Sequence, residues 1–206
     1  MTVALYGGAF DPPHLGHEAV LAAACAAYGR VVLMPSAEPP HKALAALTPG
    51  DAHRLAMTAL LAEGFGNAEV SDFEISRGGR RYTADTLEWL RGAHPGARLA
   101  LVVGGDMFLT LPGWRSFENI VQMTEIAVAC RSGAEMERAA VLEAAGRYAA
   151  EWSARVKLLE HRAADVSSTA IRSALSDGGA RRDAAGLPER VKAYILEHGL
   201  YYPGNK

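Results

Sequence analysis

Two histidines three residues apart, His14 and His17, follow a glycine pair and a turn in Gly7-Gly8-Ala9-Phe10-Asp11-Pro12-Pro13-His14-Leu15-Gly16-His17. Residues three apart on a helix share roughly one face, so both imidazoles can reach a single ligand group. Glycines let the backbone approach a phosphate closely, and the N–H groups of a helix N-terminus favour an anion. A neutral or protonated imidazole can donate a hydrogen bond to oxygens whose charge grows in a transition state. This combination suits the handling of a polyphosphate, with the backbone of Gly8, Ala9 and Phe10 contributing. Two other readings use the same residues: an ordinary turn leading into a helix with solvated histidines, and a zinc site on His14, His17 and His41. The zinc reading lacks a cysteine or a well-placed carboxylate and has no need of paired glycines.

A second group with phosphate chemistry lies towards the C-terminus. Ser168 and Thr169 offer hydroxyls and N–H groups at the start of a helix-like stretch, with the Arg172 guanidinium one turn on. That set suits bidentate phosphate binding; the plain alternative is an N-cap beside a solvated arginine. Asp106 directly follows a strand-like run and Gly104-Gly105, where a carboxylate can accept from ribose hydroxyls or cap a helix. Trp114 follows Pro112-Gly113 in a loop, either as a ring for something to stack on or as a tryptophan at the edge of the core. Trp89 and Trp152 fall in helix-like stretches and read as core. Lys42, beyond Pro39-Pro40 on a stiffened loop, can reach a phosphate or lie on the surface. His53, His94, His161 and His198 read as structural, and Arg30, Arg155 and Lys157 as solvated strand flanks.

The elements that position these residues alternate between short apolar runs and longer helical ones. Strands are expected at Val3 to Tyr6, Val31 to Met34, Leu99 to Val103, Ile126 to Ala129 and Val156 to Leu159, with a weaker one at Val70 to Ile75. Helices are expected from Leu15 to Tyr28, from a cap at Asp51 through Leu61, and from a cap at Thr83 over Ala84 to Leu90. Further helices are expected over Ser168 to Leu175 and from Pro188 to about His198. The stretch from about Glu135 to Tyr148, with alternating charges and alanines, reads as an exposed outer helix. Strands alternating with helices predict an α/β fold with a mostly parallel sheet covered on both faces. Such sheets bind ligands beyond the carboxyl ends of their strands at the topological switch point, and both glycine pairs lie at such ends. The long irregular stretches at 35–49 and 178–186 are where lids are drawn from.

Composition narrows the function classes. The chain has 206 residues, 50% of them hydrophobic and 21% charged, which suits a single domain spanning 1–206 with its terminal helices in about 165–206. A formal net charge of −2 gives no whole-protein attraction to nucleic acid or to an anionic membrane. Only Cys25 and Cys130 are present, which argues against a disulfide framework and for buried thiols in a reducing compartment. The N-terminus lacks the basic lead and long apolar region of a signal peptide, and the Ala-rich run 19–27 is too short to span a bilayer. A cytoplasmic enzyme or binding protein is the expectation.

The motifs together resemble a known family. Gly8-Ala9-Phe10-Asp11-Pro12 with His14-Leu15-Gly16-His17 resembles the signature of the nucleotidylyltransferases that carry an HxGH-type element. Pro35 to Lys42, Tyr82-Thr83-Ala84-Asp85-Thr86-Leu87, Gly104-Gly105-Asp106 with Leu111-Pro112-Gly113-Trp114, and Ser167-Ser168-Thr169-Ala170-Ile171-Arg172 resemble successive elements of the bacterial nicotinate-nucleotide adenylyltransferases. Leu187-Pro188-Glu189, Tyr194-Ile195 and His198-Gly199-Leu200-Tyr201 resemble their terminal helix, so the likeness runs nearly the whole chain in order.

The resemblance implies a Rossmann-like nucleotidyltransferase that transfers adenylyl from ATP to nicotinate mononucleotide with Mg²⁺, the ion held mainly by the ATP phosphates. It implies that His14, His17 and Arg172 are catalytic, and that Gly8, Ala9, Phe10, Gly105, Asp106, Ser168 and Thr169 help bind ATP. Lys42, Thr83, Ala84, Asp106 and Trp114 would meet the acceptor, with Trp114 stacking on the pyridine ring. No nucleic-acid or membrane partner is implied, and a homo-oligomer is compatible. Phosphopantetheine or nicotinamide mononucleotide as acceptor, and a non-catalytic nucleotide sensor, are the competing readings. Two departures stand out: Gly105 replaces a slightly larger residue, and Gly78-Gly79-Arg80-Arg81 adds two arginines that read as loop surface.

Overall fold

Consecutive apolar residues in β1 (Thr2–Gly8), β2 (Arg30–Pro35), β4 (Arg98–Gly104) and β5 (Thr124–Arg131) cannot be one-sided, because successive strand side chains point to opposite faces. The computed structural model, which describes residues 1–38, 48–162, 166–176 and 185–202, shows where both faces go. Val3, Leu5, Val32, Met34, Leu101, Val103, Ile126 and Val128 pack on one side. There they meet α4 (Thr83–Ala93), α5 (Gly105–Thr110), α6 (Phe117–Met123) and α7 (Glu135–Trp152) through Leu87, Leu90, Phe108, Ile120 and Tyr148. The intervening residues Ala4, Tyr6, Val31, Leu33, Ala100, Val102 and Ala127 pack on the other side against Leu21 and Ala24 of α1 (Leu15–Ala27) and Leu61 of α2 (Asp51–Ala62).

With β3 (Ala68–Val70) and β6 (Arg155–His161) the strands form one parallel sheet in the order β3-β2-β1-β4-β5-β6. The chain winds outwards from β1 in one direction and from β4 in the other. The crevice between these two central strands is therefore the switch point, and Gly7-Gly8 and Gly104-Gly105 end there. This is the expected Rossmann-like α/β architecture, with helices on both faces. Beyond the sheet, α8 (Ser168–Ser176) and α9 (Glu189–Glu197) build a smaller cluster. Ile171, Leu175, Val191, Ile195 and Tyr201 close over Met57 of α2.

Local expectations differ from the structure in instructive places. The strand expected at Val70 to Ile75 stops at Val70, and Phe73–Arg77 forms the short helix α3. The Ser71 amide still reaches the Leu33 carbonyl at 3.0 Å, but the Ser71 hydroxyl then accepts the Phe73 amide at 3.2 Å and turns the chain. Asp51 and Thr83 are the first residues of their helices rather than caps, which are Gly50 and Tyr82. Trp114, expected in a loop after Pro112-Gly113, follows the 3-10 turn Leu111–Gly113, which joins α5 to α6. Phe108, Leu111, Phe117 and Ile120 are the buried anchors of this stretch. The helix at 135 runs on to Trp152 and is not simply an outer helix, since Val141, Ala144 and Tyr148 are buried.

Candidate active site

A cavity of about 430 Å³ opens at the carboxyl ends of the central strands, walled by Tyr6, His14, His17, Gly104, Gly105 and Asp106 among others. His14 is the N-cap of α1. Its Nδ1 accepts the amides of Gly16 at 3.1 Å and His17 at 3.3 Å, while the Nδ1 of His17 accepts the amide of His14 at 3.2 Å. The two side chains thus make a reciprocal capping box. Leu15 donates its amide to the Gly186 carbonyl at 2.8 Å, so the first-turn N–H groups are satisfied within the protein.

This changes how the segment can treat an anion. The expectation was a helix N-terminus presenting bare N–H groups; instead the imidazoles take those groups and relay the donor function. With Nδ1 an acceptor, the proton of each neutral ring sits on Nε2, which becomes the donor offered to a ligand. The rings stack with centroids 3.8 Å apart, and Phe10 packs on His17 at 5.1 Å. Burial pushes the His14 imidazole down to about 4. Burial, and then repulsion from His14, hold His17 well below the ordinary histidine value. Both are neutral donors near neutral pH.

Asp11 ties the signature to the C-terminal helices. Its buried carboxylate accepts the Tyr201 hydroxyl at 2.9 Å on one oxygen and the Thr48 hydroxyl at 2.5 Å on the other. Burial, then the Asp11 charge, hold the Tyr201 phenol far above its ordinary value, so it stays protonated and donating. Arg172 donates to the Asp11 carbonyl at 2.5 Å and to the Thr169 hydroxyl at 3.3 Å, with its guanidinium 3.5 Å from the Asp11 carboxylate. The Ser168 hydroxyl donates to the Pro12 carbonyl at 3.0 Å. The structure therefore brings Arg172 and Ser168 against the signature turn, with Thr169 held to it only through Arg172, and Val166 is the residue of that region on the cavity wall.

Arg54 is the largest site-supporting residue that sequence reasoning passed over. It is fully buried on α2, with Nη1 donating to the carbonyls of Ala9 at 2.9 Å and Ser36 at 2.7 Å. Its Nη2 donates to the Asp51 carboxylate at 2.5 Å. It thereby pins the signature backbone to the segment after β2. A signal was present: Arg54 shares the apolar helical stripe of Met57 and Leu61, where an arginine needs a buried partner.

A second, more apolar cavity of about 370 Å³ shares Tyr6 and Gly104 with the first. Gly7, Gly8 and Ala9 form one wall, and Thr83, Met107 and Trp114 others. Trp114 thus lines a cavity while packing partly on the core, which joins the two readings of its ring. Ala84, the other expected acceptor contact on α4, is buried in the core. Glu74 of α3 also lines this cavity; its carboxylate accepts the Thr86 hydroxyl at 2.7 Å. Burial pushes Glu74 up, with hydrogen bonds and Arg81 pulling the other way.

Arg80 is exposed, as expected, but Arg81 is not loop surface: it is half-buried and lines this cavity. At Gly105 a Cβ would meet the carboxylate end of the Glu137 side chain of α7, a flexible group that can swing aside. Glu137 and His161, which were read as parts of structural elements, line the first cavity. Lys42 and His41 lie outside the described residues. Among the described residues no helix is long and apolar enough to cross a membrane.

The sheet order and the glycine-flanked crevice define a nucleotide-binding α/β protein, and residues 5–174 match the cytidylyltransferase-like family. A protein of Gemmatimonas aurantiaca named "Probable nicotinate-nucleotide adenylyltransferase" is 36% identical, covering 98% of this chain and 94% of its own. One of the same name from Symbiobacterium thermophilum is also 36% identical, covering 98% and 96%. The chain belongs to the nicotinate-nucleotide adenylyltransferase family. The structure of Plasmodium falciparum nicotinic acid mononucleotide adenylyltransferase complexed with NaAD matches the fold with a TM-score of 0.75 over 97% of each chain, at 18% identity.

Proposed function

We propose that the chain transfers the adenylyl group of ATP to nicotinate mononucleotide, giving nicotinate adenine dinucleotide and pyrophosphate. The observation that carries this reading is the pair of unlike cavities meeting at Tyr6 and Gly104. One is lined by neutral histidine donors and suits a triphosphate; the other is largely apolar, with an indole on its wall, and suits a flat ring. Family membership supports the same reaction.

In the reaction an oxygen of the acceptor phosphate forms a bond to the α-phosphorus of ATP, and the bond from that phosphorus to the bridging β-oxygen breaks. The electron pair leaves with pyrophosphate. The incoming phosphate is already a nucleophile, so alignment and charge stabilisation are the tasks of the protein. The Nε2–H groups of His14 and His17 donate to phosphate oxygens as charge develops on them. Backbone groups of Gly8 and Ala9, the latter held by Arg54, line the acceptor cavity, and Phe10 supports His17 from behind. Arg172 and Ser168 steady the signature through Asp11 and Pro12, and in this reading they serve the β- and γ-phosphates together with Thr169. Gly105 and Asp106 meet the nucleotide sugar or base, while Thr83 and Trp114 meet the acceptor ring.

Mg²⁺ fits this site as an ion that arrives on the triphosphate, because the first cavity already places the carboxylates of Asp106 and Glu137 on its wall. Bound there, it would neutralise charge on the phosphate oxygens. The unpaired cysteines Cys25 and Cys130 fit a reducing, cytoplasmic setting. Pyrophosphate release measured with ATP, Mg²⁺ and each of nicotinate mononucleotide, nicotinamide mononucleotide and phosphopantetheine tests the proposal. Release with nicotinate mononucleotide is expected. Turnover only with phosphopantetheine would overturn the acceptor, and silence with every acceptor would overturn the activity.

A further inference from the structure

The two arginines of Gly78-Gly79-Arg80-Arg81 are adjacent in sequence and opposite in placement. A bridge pairs the backbone of Glu38 with that of Arg80, so the strand-like segment is fixed against the chain that follows β2. Successive side chains of an extended segment point to opposite sides. Arg80 consequently faces solvent, and Arg81 turns onto the wall of the acceptor cavity beside Ser36 and Glu74.

Among the described residues lining that cavity, Glu74 and Arg81 are the only charged ones. Glu74 is engaged from behind by the Thr86 hydroxyl. Among the described residues the Arg81 guanidinium makes one long hydrogen bond, Nη2 to the Arg77 carbonyl at 3.4 Å, and its charge faces the Glu74 carboxylate across the same cavity wall. Its Nε is buried with no hydrogen-bond partner among the described residues. A guanidinium has five N–H donors in a planar fork, and a buried donor left unpaired is unfavourable until an acceptor arrives. The Trp114 ring and the start of α4 at Thr83 share the same cavity, which gives a flat ligand a stacking surface and favours negative charge at its edge.

We propose that Arg81 reads the ring substituent of the acceptor, accepting a carboxylate in the plane of the ring and rejecting a carboxamide. A carboxylate offers two acceptor oxygens to the guanidinium fork, whereas a carboxamide turns an NH₂ group towards donors that it cannot satisfy. The inference rests on the acceptor-cavity reading above and adds a specificity-determining side chain to it.

The test compares kcat/KM for nicotinate mononucleotide and nicotinamide mononucleotide, at saturating ATP, in the unmodified protein and in Arg81→Gln and Arg81→Lys. Arg81→Gln is expected to lower kcat/KM for the acid by roughly ten- to a hundredfold, the range of a charge-assisted hydrogen bond. The amide should stay within about threefold, because it loses no paired interaction. Arg81→Lys, a point charge without the fork, should fall between, and it provides the same ratio if the glutamine variant does not fold. The KM for ATP should not move. Equal losses on both acceptors would overturn the proposal, since they would place Arg81 on the shared phosphate or in a purely structural role. An unchanged ratio, or an amide preference in the unmodified protein, would overturn it as well. If the unmodified protein used neither pyridine mononucleotide, the acceptor reading itself would fall, a result distinct from an active protein with an unmoved ratio.

Discussion

Replacing His14 with Asn should flatten the dependence of stability on pH between about 5 and 7. His14 caps α1 through Nδ1 and is neutral because burial pushes its pKa from 6.5 down to about 4. Above the unfolded value both the folded and unfolded chains carry a neutral ring, and the stability is fully present. As the pH falls below that value the unfolded chain takes up a proton that the folded chain refuses, so stability is lost until the folded ring also titrates. The loss grows by about 1.4 kcal/mol per pH unit, which gives about 2 kcal/mol at a pH of about 5. For a domain of this size that is about 4–8 °C in Tm. Asparagine is a good N-cap but does not titrate, so His14→Asn keeps the helix start and removes the proton. Thermal melts of both proteins across this range measure the difference, and carboxylates and His17 contribute to each. Parallel curves would refute the reasoning, because they would mean that His14 is protonated in the folded protein or is not buried by the fold.

Other outcomes follow from the same contacts. His17→Ala should lower kcat by roughly ten- to a thousandfold with little change in the KM for ATP, because its donor acts where charge develops; a rise in KM alone would show a ground-state role. Arg54→Met should destabilise the fold by about 3–5 kcal/mol, since it strands the carbonyls of Ala9 and Ser36 and the carboxylate of Asp51. Urea denaturation reads that loss directly. Chelation of divalent cations should stop pyrophosphate release while shifting Tm by less than about 2 °C, because the ion belongs to the ATP complex rather than to the fold.

The strand-and-helix rhythm was legible because its signal is local. Runs such as Leu99 to Val103 are apolar at every position, and only a parallel sheet covered on both faces buries both sides of such a strand. The glycine pairs after β1 and β4 marked the crevice for the same reason: strand ends and switch points are readable from element order. Local and tertiary demands part elsewhere. Val70 to Ile75 has strand-like residues, but β2 offers β3 a partner for three residues, and the Ser71 hydroxyl then bends the chain into α3. Pro112-Gly113 marks a turn in the sequence, but the flanking helices α5 and α6 carry no strong local signal and form because Phe108, Leu111, Phe117 and Ile120 bury against the core.

By itself the sequence determined the fold class, the family and the chemistry of the opening segment, since residue type and spacing suffice for those. Only the tertiary structure decided which atoms face the ligand. His14 and His17 spend their Nδ1 atoms on each other's backbone, so a pair that spacing alone left as neutral or protonated becomes neutral Nε2 donors. Asp11 binds Tyr201 across 190 positions of sequence, and Arg54 holds the signature from α2. Arg81, indistinguishable from Arg80 in the sequence, turns inwards because the bridge at Glu38 sets the phase of alternation. Spacing along a chain fixes which face of its own element a residue occupies; what that face meets depends on elements far away in sequence, which only packing brings together.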